Sequence, residues 1–164
     1  MSGRVLVAGI GNIFQGDDAF GVEVVRKLLS RSWPESVVVR DFGIRGLDLA
    51  YTMMDSWSLV VLVDALSRHG APGTLFIVEP ESDGSSSLRT LDAHAMTPER
   101  VLELVKALGG KVPRTLIVGC EPAHLGGEEG CIGLSEPVTA SLDKAVETVE
   151  RLVTQAFMEV QAPA

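Results

Sequence analysis

Four segments of this sequence each present a group able to hold a proton or a metal ion. Asp17-Asp18 follow one apolar run, Asp41 closes a second, Asp64 closes a third, and His94 stands shortly before a helix-opening signal. Carboxylates and imidazole exchange protons near working pH and supply oxygen and nitrogen ligands. Asp18, Asp64 and His94 together offer two hard oxygens and one borderline nitrogen. That set suits zinc, nickel, manganese or iron with coordination positions left open. Each group also has a plainer use. Asp17 or Asp18 serves equally well as the cap of a helix opening near Ala19. Asp41 serves equally well as an Asx residue anchoring the turn through Gly43, and a lone loop histidine is more often surface than ligand. Asp64 is harder to explain away, because an acid ending the apolar run LVVLV is costly unless paired or bound. The groups lie far apart in the chain with no local ligand spacing, and what sets them apart is their convergence on one edge of the fold.

Competing motifs are weaker. Gly9-Ile10-Gly11-Asn12-Ile13-Phe14 begins like a dinucleotide fingerprint, but Phe14 stands where the third glycine belongs. With Asp41 placed to meet a ribose, a nucleotide-binding domain stays open as an alternative. There is no Walker A sequence and no Gly-x-Ser-x-Gly elbow. Cys120, His124 and Cys131 could share a metal; more simply, Cys120 is a buried thiol at a strand end and the others belong to the glycine-rich loop over 126–133. His69, before Ala71-Pro72-Gly73, reads as a turn residue.

Those groups need elements to bring them together. The run over 4–10 (RVLVAGI) is short, β-branched and apolar, the pattern of a strand buried on both faces in a parallel sheet. After a loop over 11–18, Phe20, Val24, Val25, Leu28 and Leu29 recur at helical spacing within 19–30. A second strand is predicted over 36–42, a turn over 43–46, a short helix over 47–54 and a third strand over 59–64. Pro72-Gly73 turns the chain into a fourth strand over 74–78. The polar stretch between Pro80 and Thr90, centred on SDGSSS, reads as a surface loop. Thr97-Pro98-Glu99 supplies an N-cap, a first-turn proline and an early acid for a helix reaching about residue 108. A fifth strand follows over 115–120. The last helix carries a stripe of Leu142, Val146, Val149, Leu152, Val153, Phe157 and Val160, with Asp143, Lys144, Glu147, Glu150 and Arg151 opposite. Alternating strands and helices imply an α/β fold with helices on both faces of a mainly parallel sheet. The short step from the third strand to the fourth predicts one antiparallel edge. Ligands of such sheets bind beyond the carboxyl ends of the strands.

Composition bounds the function. The 164 residues carry a formal charge of −8, with 46% hydrophobic and 22% charged residues, as in one ordinary globular domain over 1–164. Nucleic acid and anionic membrane are disfavoured partners, since both call for clustered Lys and Arg. No apolar stretch approaches the roughly 20 residues of a spanning helix. No signal peptide is visible at Met1-Ser2-Gly3-Arg4, and two cysteines are too few for a disulfide framework. The expectation is a cytoplasmic, acidic domain, with a monomer as the default state.

Taken together, the motifs resemble the hydrogenase maturation protease family, endopeptidases that trim the large subunit of nickel–iron hydrogenases. The matching segments are Val7-Ala8-Gly9-Ile10-Gly11-Asn12, Gly16-Asp17-Asp18-Ala19-Phe20-Gly21, Asp41-Phe42-Gly43-Ile44-Arg45-Gly46 and Val63-Asp64-Ala65 with Pro72-Gly73-Thr74. Ala93-His94, Gly119-Cys120-Glu121-Pro122 and Gly133-Leu134-Ser135 complete the set, over about Val5 to Val153. The resemblance implies a three-layer αβα sandwich around a twisted sheet of about five strands. It implies metal contacts by Asp18, Asp64 and His94, and catalytic work by Asp18 with assistance from Asp41. Its implied partner is the precursor of a nickel–iron hydrogenase large subunit, cut at its C-terminal extension after nickel insertion. Nickel is then brought by the substrate, with other divalent metals able to substitute. No serine or cysteine nucleophile stands out, so water attacks, activated by the metal or by a carboxylate, Asp41 or Asp18. Where many family members have Asp-Gly-Gly-Thr-x-Gly, this chain has Phe42 and Ile44 in a segment expected to face the substrate. A non-catalytic nickel metallochaperone would use the same three residues.

Overall fold

The computed structural model describes residues 3–80, 97–127 and 129–161. Among these are five strands and four helices in the order β1 (Val5–Ile10), α1 (Phe20–Leu29), β2 (Val37–Gly43), α2 (Gly46–Met53), β3 (Leu59–Ala65), β4 (Leu75–Val78), α3 (Pro98–Ala107), β5 (Thr115–Cys120) and α4 (Glu136–Gln161). The spatial order is β2-β1-β3-β5-β4. The pairs β1–β2, β1–β3 and β3–β5 are parallel, and β4 runs antiparallel to β5 at the edge. The antiparallel edge is therefore present, but its neighbour is β5, which separates it from β3. The stretch over 80–90 lies almost wholly, and His94 wholly, in the segment 81–96, outside the described residues.

The sheet is covered twice. Every residue of β1 and β5 is buried, as expected of parallel strands with helices on both faces. Val5 and Val7 pack with Val61, Val63, α1 and α4, whereas Leu6, Ala8 and Ile10 pack with Val60, Leu62, α2 and α3. The alternation follows the two-residue period of the pleat, and each fully buried Val or Leu contributes about 1.5–3 kcal/mol relative to exposure. Thr97 caps α3 by accepting the N–H of Arg100 at 3.2 Å, and Pro98 fills the first turn. The stripe of α4 is buried at Leu142, Val146, Val149, Leu152 and Val153.

The segment before α1 differs from the expected plain loop and cap. Residues Gly16–Ala19 form a short 3-10 turn with no side-chain cap at either it or α1. Neither Asp17 nor Asp18 is thus a helix cap. α1 then enters the sheet at very close range: a Cβ on Gly21 would meet the carbonyl oxygens of Val63 and Ile10, and one on Gly9 would lie 2.6 Å from the carbonyl oxygen of Gly21.

Candidate functional site

The chain leaves β1 for β2 on one side and later passes to β3 on the other, so the order reverses between β1 and β3. Beyond the carboxyl ends of these two strands lies the crevice in which open α/β sheets bind ligands. A cleft of about 940 Å³ occupies this place, and Asn12, Asp18, Asp64, Arg68, Phe76 and Glu99 are among its lining residues. Asp18 and Asp64 thus meet across the switch point although β1 and β3 are far apart in sequence. The Oδ2 of Asp18 accepts the backbone N–H of Asn12 at 3.0 Å, and the Oδ1 of Asp64 accepts that of Ala65 at 2.9 Å.

Both carboxyls have raised proton affinity. Burial pushes Asp18 up, opposed by the Asn12 N–H. Asp64 stands well above the usual carboxylate range, through burial first and then the negative charge of Asp18, with Glu99 adding a little and the Ala65 N–H opposing. The pair is a nucleus for a cation or a proton, because either relieves the repulsion. Among the described residues no group of three or more His, Cys, Asp or Glu is arranged to hold a metal ion. Thr97, three residues after His94 in the sequence, lines the cleft.

Asp41 is not among the cleft residues. It pairs with Gly9 in the β1–β2 ladder, at the register of Val37 and Val39, which pack toward α1 and α4. Asp64 follows the register of Val60 and Leu62, which pack toward α2 and α3. The pleat therefore sends the two carboxylates to opposite faces. The Oδ1 of Asp41 is buried and without a hydrogen-bond partner among the described residues. Arg45 donates to the backbone carbonyls of Asp41, at 2.6 Å, and Phe42, at 3.2 Å.

Asp17, adjacent to Asp18, has a different task. It is fully buried and accepts the backbone N–H groups of Ser135 (2.7 Å), Ala123 (2.8 Å) and His124 (3.2 Å) and the hydroxyl of Ser135 (2.8 Å). Burial raises its proton affinity, but these four donors outweigh burial and hold its carboxyl below the usual range. It thereby ties the loop between β5 and α4 to the one between β1 and α1. Pairing of Gln15 with Cys131 continues the seam, through Gly16 N–H to Cys131 O at 2.7 Å and Cys131 N–H to Phe14 O at 2.8 Å. His124 packs where a Cβ on Gly16 would stand, and Cys120 lies buried with Sγ 3.5 Å from the Ser141 hydroxyl. Cys120, His124 and Cys131 thus occupy separate contacts.

Glu121, which composition and spacing did not single out, holds the loop that carries the cleft residue Arg68. Buried just after β5, it accepts the N–H of Arg68 at 2.9 Å and that of Gly70. The Gly70 N–H holds its carboxyl below the usual range against burial, helped by the Arg68 N–H and by the positive charge of His69 and Arg68. An acid ending an apolar strand was the signal that marked Asp64, and Glu121 after TLIVGC carries it too. The glycines of the fingerprint-like segment face packed protein: a Cβ on Gly11 (φ 149°) would strike the carbonyl of Asp18. They serve close helix packing, and the nucleotide reading loses its phosphate cradle.

Comparison with known proteins places this architecture. The sequence model of the family described as hydrogenase maturation protease matches residues 22–152. The hydrogenase 2 maturation protease of Escherichia coli is 30% identical over 157 residues, covering 95% of this chain and 94% of that one. The hydrogenase maturating endopeptidase HybD from E. coli superposes with a TM-score of 0.78 at 29% identity, over 93% of each chain. The hydrogenase 2 maturation peptidase from a Thaumarchaeota archaeon superposes with a TM-score of 0.70 at 34% identity, over 92% of this chain and 98% of that one.

Proposed function

Since this chain belongs to the hydrogenase maturation protease family, we propose that it removes the C-terminal extension from the large-subunit precursor of a nickel–iron hydrogenase, and only after nickel has been inserted. The observation that carries this reading is the meeting of Asp18 and Asp64, both of raised proton affinity, in one cleft at the switch point. Among the described residues each carboxylate has one oxygen engaged by a backbone N–H and the other without a hydrogen bond. Two hard oxygens suit a divalent ion held partly by other ligands. In this reading the substrate carries the nickel on its own thiolates, and Asp18 and Asp64, with His94 as the third ligand, dock it. The scissile bond is then held in the cleft at fixed distance from the acids.

Water is the attacking group. Its oxygen bonds to the scissile carbonyl carbon, one proton passes to a carboxylate, and the C–N bond breaks with a proton delivered to the leaving amine. Asp18 is the base in this scheme because it lines the cleft, whereas Asp41 faces the other side of the sheet. The substrate's nickel polarises the same centre. Docking through nickel makes maturation self-checking, since a precursor without the metal has nothing to position it.

The direct test uses nickel-loaded and nickel-free precursor with the protein, followed by the mass of the large subunit. Shortening of the loaded form alone is expected. Equal cleavage of both forms would overturn nickel reading, and tight nickel binding by the isolated protein with no cleavage would favour a metallochaperone.

A further inference from the structure

Among the described residues lining the cleft, Arg68 is the one cation beside the acids Asp18, Asp64 and Glu99. Its guanidinium lies 4.9 Å from the centroid of the Phe76 ring and makes no ion pair among the described residues. Its backbone is held: Glu121 accepts the N–H groups of Arg68 and Gly70, and His69 between them sits at φ 61°, a conformation that costs an L-residue energy. The loop is thus a built platform that presents to the cleft one guanidinium, lying over a ring and without an ion pair among the described residues. Phe76, its other wall, rests on Gly119, where a Cβ would strike the ring, and Gly119 pairs in turn with Asp64. Asp64, Gly119 and Phe76 therefore form one row across the sheet. Two strand spacings of about 4.8 Å separate its ends by about 10 Å, the advance of roughly three residues of extended peptide.

We propose that Arg68 is a specificity residue whose guanidinium, placed over Phe76, binds a carboxylate of the precursor about three residues from the scissile bond. This rests on the protease reading of the same cleft. A guanidinium held over a ring by cation–π attraction makes no hydrogen bond to it, so its N–H fork is available, and that fork matches a carboxylate bidentately. The carboxylate comes either from an Asp or Glu side chain or from the terminus of a short tail.

The test measures processing of nickel-loaded precursor by wild type, Arg68→Gln and Arg68→Glu. A set of substrates has each acid within four residues of the cut changed to its amide or to Lys, and one further substrate has its C-terminus lengthened. Expected for Arg68→Gln is a KM about tenfold higher with kcat changed less than about threefold and Tm preserved. One substrate amide variant should reproduce that loss and add nothing to it in combination, and Arg68→Glu should recover on the matching Lys substrate. Sensitivity to lengthening alone would assign the carboxylate to the terminus. An unchanged KM for both variants, or a loss confined to kcat, would overturn the proposal and leave the protease reading standing. A wild-type protein that cuts no loaded precursor would overturn both.

Discussion

At Asp64 the carboxyl is 2% exposed, accepts one N–H and faces the charge of Asp18. A group whose proton affinity is raised by folding opposes the fold once it ionises. Its penalty is absent below the ordinary carboxylate pKa and grows as pH rises toward the folded value. Asp64→Asn removes that charge while keeping the shape. The metal-free variant is therefore expected to have a higher Tm than wild type at neutral pH, by an amount that shrinks toward about pH 4. The same variant should lower processing at least about 100-fold, because one docking oxygen is lost. Calorimetry across pH and a precursor-cleavage assay read the two effects; a Tm gain that grows on acidification would contradict the assignment. The expected gain would mean that the site is held in a form less stable than its amide copy, as where charge is kept for chemistry.

At the scale of elements, two contacts decide where the acids stand. α1 reaches the switch point because Gly21 lets its first turn touch the ends of β1 and β3. Gly21→Ala puts a methyl group against two carbonyl oxygens, neither of which can yield without moving a strand. The expected cost is about 3 kcal/mol or more by urea unfolding, with processing impaired in whatever folds. The second contact is Asp17, whose four accepted hydrogen bonds tie the β5–α4 loop beside the cleft. Asp17→Asn retains one acceptor oxygen and turns the other into a donor facing donors. It should cost about 3 kcal/mol, or roughly 9 °C in Tm for a domain of this size. The sign with pH is opposite to that of Asp64. A carboxyl lowered by folding stabilises above its unfolded pKa, and the contribution disappears as pH falls through the folded value. The difference between wild type and Asp17→Asn should therefore vanish in strong acid, which thermal melts at stepped pH would show.

For the whole molecule, the sandwich places one layer of chemistry at the carboxyl edge of a sheet buried on both faces. Among the described residues no helix is long and apolar enough to cross a membrane. The strands and helices were legible in the sequence because burial writes a period: unbroken apolar runs for β1, β3 and β5, and a 3.6-residue stripe for α4. Asp64 was legible for the same reason, as a charge where the pattern allows none. Strand order was not written locally, so the insertion of β5 between β3 and the antiparallel β4 came from pairing across the sheet. Asp17 and Asp18 could not be told apart as neighbours of one type. The 3-10 turn aims one into the loop seam and the other into the cleft. Asp41 looked equivalent to Asp64 as an acid at a strand end, yet the pleat sends them to opposite faces. The sequence by itself determined the element types, the α/β class and the acids ending buried runs, because each follows from local period and the cost of buried charge. Only the tertiary structure decided which acids meet, and that Arg68 and Phe76 stand beside them, because register, face and strand order are set by contacts between segments remote in the chain.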